Sequence, residues 1–455
     1  MWLPSFSGTY HNRRHFMKHM AGFSAAMALP GIEFVSKLKA AAPQMKRDHK
    51  SLIILWMGGG PSHMDTWDLK PGEPTGGDFK PMKTAASGVE ICEHLPTVAK
   101  QMKNLSIVRS LVSNEGSHER GTYLMHTGYA QNPAVTFPSM GAVTSHQNIM
   151  NHASAKDLPL PGFISVSRPS EGPGFLGMAY APFTVQNPGS PPQNINPPSE
   201  LGSENTPEQT SRVARRYSLF EMLESGFQSG NRGEAAKAHH EMYRKAWDLT
   251  ASQLKAVFDL KYDIGPGGKP VPINSKLVSD YGTGFGQGCL LARKLVEAGV
   301  SCVEVGLGGW DNHNNIFSAL HNNRAGQGGL VDRLDKGFGT LMADLESRGL
   351  LKNTVVVWMG EFGRTPRINQ NAGRDHWGRC WSVVVGGGNI KGGQVYGSTD
   401  KDGTSVKDNP VTVSDLFATI YQGLGISPDT EIRDPLGRPR KISGEKGGKA
   451  VSALV

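Results

Sequence analysis

One stretch limits the fold more than any other: residues 354–378, TVVVWMGEFGRTPRINQNAGRDHWG. Val355, Val356, Val357 and Trp358 follow one another without the alternation expected of a strand that has one wet face. Such a run suits a strand buried on both sides, the kind found in a parallel sheet covered by helices. The chain then changes character, with Glu361, the basic pair Arg364 and Arg367 around Pro366, a glycine-bearing loop, and Asp375 beside His376. In open α/β sheets ligands bind beyond the carboxyl ends of the strands, so chemistry is expected here.

The same grammar recurs along the chain. Residues 51–57, SLIILWM, run into GGGPSHMD, a glycine-rich turn that delivers His63 and Asp65. No Lys-Ser/Thr follows at the spacing a phosphate-cradling P-loop requires. An amphipathic helix at 286–298, stopped by Gly299, leads to a strand at 301–305 whose exit, GGWDNHNN, carries Asp311 and His313. A further helix at 330–348, stopped by Gly349, leads into the first-described strand. Helix, glycine stop and strand in this order are the pattern of an α/β fold. Residues 105–111 read as another strand and 117–127 as a helix closed by Gly128, with His118 at its start, where unpaired N–H groups favour an anion. Residues 381–385 add a strand, and 412–424 a helix capped by Thr412 and Asp415. Three strand exits each offer Asp, Glu or His, a concentration that predicts a metal or polynuclear site at one edge of the sheet.

Residues 181–274 interrupt this pattern with a Pro/Asn/Ser/Gly-rich loop and charged helical segments, and read as an insertion or cap on the core. The C-terminal stretch around Gly437-Arg438-Pro439 reads as a loosely structured tail. The formal charge of +8 is mild, and half of it sits in residues 1–42, where five basic residues face Glu33 alone, so nucleic acid is not the expected partner. Cys92, Cys289, Cys302 and Cys380 have no CxxC spacing, which speaks against a zinc knuckle. Arg13-Arg14 within NRRHFMK, the modest apolar run that follows and Ala40-Ala41-Ala42 resemble a twin-arginine export signal over 1–42. Periplasmic or extracellular residence is the corresponding expectation. No other apolar run approaches the about 20 residues of a membrane span.

Taken in order, SLIILWMGGGPSHMDTWD, SHERGTYLMHTG, GGWDNH, MGEFGRTP and GRDHWG resemble the DUF1501 family, a domain of unknown function grouped with the alkaline phosphatases and sulfatases. The resemblance covers nearly all of the chain after residue 42. It implies a three-layer α/β/α sandwich around a mostly parallel sheet, with divalent metal ions (zinc, manganese, calcium or magnesium) held at strand ends. Under it, Asp65 matches the metal carboxylate after the first strand, and Asp311 and His313 resemble an Asp–His metal pair, with Asn315 where a longer gap would place the His. Glu361 matches the Asp of a second Asp–His pair in which Phe362 replaces the His, and Asp375 or His376 stands for a later lone His. The superfamily nucleophile, nine residues before a Thr-Gly pair, corresponds to His118, with Ser117 as the neighbouring hydroxyl. An imidazole there can attack phosphorus, bind metal, or act as acid or base while water attacks.

These readings combine into an exported metal-dependent hydrolase of phosphate or sulfate esters, with Arg364 or Arg120 neutralising the anionic group of the substrate. The alternative is a non-catalytic relative that binds an anionic glycan or cell-wall polymer, for which Phe362 and the missing hydroxyl at position 118 speak.

Overall fold

The computed structural model describes residues 49–195, 207–230, 233–265, 270–321 and 328–455. The expected export segment, 1–42, lies outside the described residues. The main sheet has nine strands: β1 (Ser51–Trp56), β2 (Leu105–Val112), β3 (Phe163–Val166), β4 (Phe183–Val185), β5 (Cys302–Gly306), β6 (Thr354–Met359), β7 (Trp381–Gly387), β8 (Gln394–Tyr396) and β9 (Val411–Thr412). Their order is β8-β2-β7-β6-β1-β5-β3-β4, with β9 also on β2.

Every pairing in this sheet is parallel except those of β7, which runs antiparallel to both β6 and β2. An antiparallel return needs no crossover helix. The connection from Met359 to Trp381 therefore begins and ends at the carboxyl edge of β6, and the GEFGRTP and GRDHWG segments stay there. Apolar runs report burial and not direction, so β7's reversal is invisible in its sequence.

Both faces of the sheet are covered, as the apolar runs require. Leu52, Ile54 and Trp56 of β1 and Val355, Val357 and Met359 of β6 share one core with Met125 of α1 (His118–Thr127), Met140 and Val143 of α2 (Met140–Asn151), and Phe417, Ile420 and Tyr421 of an amphipathic C-terminal helix, Val413–Leu424. The alternate residues Ile53, Leu55, Val356 and Trp358 are equally buried and face the other way. On that side Gly288 of α3 (Phe285–Glu297) sits on Val305 and Val166. Packed against α3 is α4 (Leu330–Ser347), which buries Leu330, Leu334, Phe338, Leu341 and Leu345 at helical spacing. The C-terminal helix, α5, has the Thr412–Asp415 capping box. The architecture is thus α/β/α, with a core in which each fully buried large side chain contributes roughly 1.5–3 kcal/mol.

Two compact units divide the chain. One holds Gln193–Gln253, including helices Pro207–Ser229 and Glu234–Ala251; the other holds Pro43–Pro192 and Leu254–Val455. The separate unit is narrower than 181–274 because β4 joins the main sheet and Asp263 pairs with Arg293 of α3 at 2.6 Å. The C-terminal stretch, expected to be loose, is packed: Glu431–Arg433 pairs with Pro439–Lys441, and Val451 and Leu454 enter the core beside α5. Its apolar residues are too widely spaced to show as a pattern. All four cysteines are buried and unpaired. Among the described residues no helix is long and apolar enough to cross a membrane.

Candidate metal centre

The carboxyl edge of the sheet gathers side chains from two strand exits and one helix start. Asp311 comes from the loop after β5, and Glu361 and Arg364 from the loop after β6. His118 opens α1, and His376 is held by a two-residue ladder in which it faces Arg364. The loop leaving β1 completes the frame. There Gly59, at φ 118°, lies so close to the next loop that a Cβ would stand 2.4 Å from the Asp311 nitrogen.

Asp311 is the centre of the cluster. Its Oδ1 is 3.0 Å from His313 Nε2, 3.2 Å from His376 Nε2 and 3.4 Å from His118 Nε2, and it accepts from Arg364 Nη2. The His313 and His376 Nε2 atoms are themselves 3.2 Å apart. Each ring is oriented through its other nitrogen. His118 Nδ1 lies 2.7 Å from Glu361 Oε1, His313 Nδ1 2.8 Å from Asp375 Oδ1, and His376 Nδ1 2.8 Å from the Gly116 carbonyl. All three partners are acceptors, so in each case Nδ1 carries the hydrogen. In the neutral rings Nε2 is left as a lone pair, and three such lone pairs converge on one carboxylate oxygen. That arrangement is repulsive unless protons or a cation enter it.

The donor set fits a divalent metal. Ligand atoms about 2.1 Å from a tetrahedral ion stand roughly 3.4 Å apart, close to the spacings seen here. The donor atoms of His118, Asp311 and His376 all lie within 4.8 Å of one another. His118 Nε2 is buried without a hydrogen-bond partner, and so is Glu361 Oε2. Imidazoles steered by carboxylates or a carbonyl through the far nitrogen are the usual surroundings of metal-binding histidines.

Electrostatics agree with this division of roles. Burial pushes the Asp311 carboxyl up, but the hydrogen bond and charge of Arg364, helped by His376 and His118, outweigh it and lower its pKa to about 2. The Glu361 hydrogen bond raises His118 above the ordinary imidazole value, against the effect of burial. The His313 hydrogen bond lowers Asp375. Glu361 is only 2% exposed and also accepts the Gly59 N–H at 2.8 Å, so it braces two parts of the site at once.

Other residues singled out in the sequence lie outside the cluster or are committed within it. Asp65 is fully buried and held by Arg374 through bonds of 2.7 and 3.0 Å, with Ser62 Oγ donating to it as well. His63 is buried with Nε2 3.1 Å from the Gly403 carbonyl, and burial lowers its pKa. Arg120 is exposed and paired with Glu115 at 2.8 Å, and Ser117 makes no side-chain cap bond at the start of α1. Arg364 is fully buried, and its five N–H groups meet the carbonyls of Gly60, Gly59 and Arg374, Asp311, and, at 3.5 Å, His313. It braces the loops and has no donor left for a substrate. Sequence reasoning missed Arg374, although it stands inside GRDHW, and missed the Gly116 carbonyl, which has no sequence signal.

The profile of the family described as "Protein of unknown function (DUF1501)" matches residues 49–455. The chain belongs to the DUF1501 family. No curated protein matches it. Among solved structures, this DUF1501 chain is similar to the PsFucS1 sulfatase from Pseudoalteromonas sp., at 15% identity and a TM-score of 0.34 over 87% of this chain and 71% of that one. It is similar to the lipoteichoic acid synthase LtaP from Listeria monocytogenes, at 9% identity and a TM-score of 0.34 over 90% and 80% of the two chains. It is also similar to an alkaline phosphatase superfamily protein from Vibrio parahaemolyticus, at 9% identity and a TM-score of 0.34 over 90% and 77%.

Proposed function

We propose that this DUF1501 protein is a metal-dependent hydrolase of phosphate or sulfate esters, with the ion held by His118, Asp311, His313 and His376. The observation that supports this most is the convergence of three Nε2 atoms on Asp311 Oδ1, each ring fixed through Nδ1. A bound divalent ion supplies Lewis-acid polarisation of an ester oxygen and eases attack by water near neutral pH. Glu361 and Asp375 hold the proton on Nδ1 of His118 and His313 and so keep Nε2 free to bind. On this reading His118 is a ligand and not the attacking group, because its free nitrogen faces the same carboxylate oxygen as the other two rings.

A screen of chromogenic phosphomonoester, phosphodiester and sulfate substrates against several divalent metals tests the proposal, with His118→Ala as control. Metal-dependent turnover by the wild type, and loss of both metal and turnover in the variant, are expected. A variant that keeps its metal but loses turnover, with a labelled phosphohistidine trapped in the wild type, would make His118 the nucleophile instead. Metal bound without turnover of any ester would favour the rival reading, a protein that binds anionic glycan without cleaving it. Phe362 supports that rival, since its ring stands 5.0 Å from His118 and 4.7 Å from His376, where the resemblance implies a further ligand.

Export by the twin-arginine route belongs to the same proposal and rests on NRRHFMK and the weakly apolar stretch after it. Replacing Arg13 and Arg14 together by Lys should leave full-length precursor inside the cell. Unchanged processing would contradict the assignment.

A further inference from the structure

Arg168 follows β3 at the carboxyl edge of the sheet, and the residue is exposed. Its side chain nonetheless has a fixed seat. A Cβ on Gly58, just beyond β1, would stand 2.0 Å from Arg168 Nη1, and one on Gly306, the last residue of β5, would stand 2.5 Å from Cδ and 2.6 Å from Cγ. Neither glycine has a positive φ, so conformational freedom does not account for them. Space does: the arginine lies across the ends of two neighbouring central strands, in a trough that any side chain at either position would fill.

The turn that aims it is held as well. Ser167 sits at φ 72°, a left-handed conformation rarely adopted by residues other than glycine, while its N–H bonds the Val185 carbonyl at 2.9 Å. Ser165 Oγ donates to the Arg168 carbonyl. Backbone held in such conformations gathers at ligand clamps. Among the described residues, the guanidinium of Arg168 has no carboxylate and no hydrogen-bond partner. Three arginines nearer the cluster are committed, Arg364 and Arg374 to loop carbonyls and Asp311 or Asp65, and Arg120 to Glu115.

The seat adjoins the candidate metal centre. Gly58 carries the guanidinium; Gly59, the next residue, donates to Glu361 at 2.8 Å and abuts the Asp311 backbone. We propose that Arg168 is the anion-binding residue of this site, receiving the sulfate or phosphate group of an ester on the side of the cluster bounded by Gly58 and Gly306. A planar guanidinium presents paired N–H donors to two oxygens of a tetrahedral oxyanion, which a bare charge does not. This assignment rests on the ester-hydrolase reading above.

The test is calorimetric titration of the metal-loaded full chain with inorganic sulfate and with inorganic phosphate, alongside Arg168→Gln, Arg168→Lys and Gly58→Ala, each analysed for metal. The wild type should bind one anion more tightly, which names the ester class. Arg168→Gln should weaken that binding at least tenfold at unchanged metal content, with Arg168→Lys in between. Gly58→Ala, whose new methyl displaces Nη1, should match Arg168→Gln, and if it does not fold, Arg168→Gln alone decides. Wild-type binding of both anions by Arg168→Gln would overturn the assignment and leave the metal centre standing. A metal-loaded wild type that binds neither anion would overturn it as well, and a wild type that takes up no metal would overturn both this assignment and the reading beneath it.

Discussion

Asp65 and Asp311 follow neighbouring parallel strands of one sheet, each beyond a glycine-rich exit, and they meet opposite surroundings. Asp65 is 0% exposed and matched oxygen by oxygen to the guanidinium of Arg374, itself 0% exposed. The side chain of Asp311 is 46% exposed and shares one oxygen with Arg364 and three imidazoles whose other nitrogens are already committed. The first loop is closed: every charge in it has its complement. The second is open, with more lone pairs than hydrogens to satisfy them. A carboxylate at a strand end is therefore no sign of a metal site by itself; the imbalance around it is.

The largest expected effect breaks the closed loop. Arg374→Met strands the Asp65 carboxylate in the core, and loss of one partner from a buried ion pair typically costs about 3–5 kcal/mol, readable by urea denaturation. Asp311→Asn, at a half-exposed position where the amide oxygen can still accept from Arg364, should shift the same curve by less than Arg374→Met does. Metal affinity reverses the ranking. Asp311→Asn should lower it by more than ~100-fold, beyond the effect usual for residues that only orient a ligand. Glu361→Gln and Asp375→Asn, which remove carboxylates that orient imidazoles, should each lower it about 10–100-fold, measured by competition with a chromophoric chelator.

A third pair sharpens the comparison, because it is buried like Asp65 but can titrate. His126 Nε2 lies 3.2 Å from Glu304 Oε2, and its Nδ1 bonds the Thr122 carbonyl at 2.8 Å. Burial opposes the charged imidazole, but Glu304 outweighs it and raises the pKa of His126. The folded-state value thus lies above the unfolded one. The pair's contribution is fully present below about pH 6.5 and is lost as the pH rises through the folded value. Stability should fall as the pH rises from about 6.5 through the folded value of His126, and Glu304→Gln should flatten that fall. An unchanged pH profile in the variant would show that the pair is not ionised.

Much of the scaffold was legible in the sequence because both-face burial writes itself as uninterrupted apolar runs. β1 and β6 are such runs, whereas β5 is broken by Glu304, and the glycines after α1 and α4 mark the helix ends. What strand exits carry was legible too, since residue type is local. Pairing was not. Asp65 meets a partner 309 positions away, and nothing near it in sequence distinguishes it from Asp311. The reversal of β7, the packing of Val451 and Leu454, and the seat of Arg168 across Gly58 and Gly306 are likewise products of long-range contact. The two glycines were visible, but the space they leave has meaning only once β1 and β5 are neighbours.

The most direct test of the account is elemental analysis of the chain purified without chelators, wild type beside Asp311→Asn. The lone pairs converging on Asp311 predict a stoichiometric divalent metal in the wild type and its loss in a variant that remains folded. A metal-free wild type, or equal metal in both proteins, would contradict it.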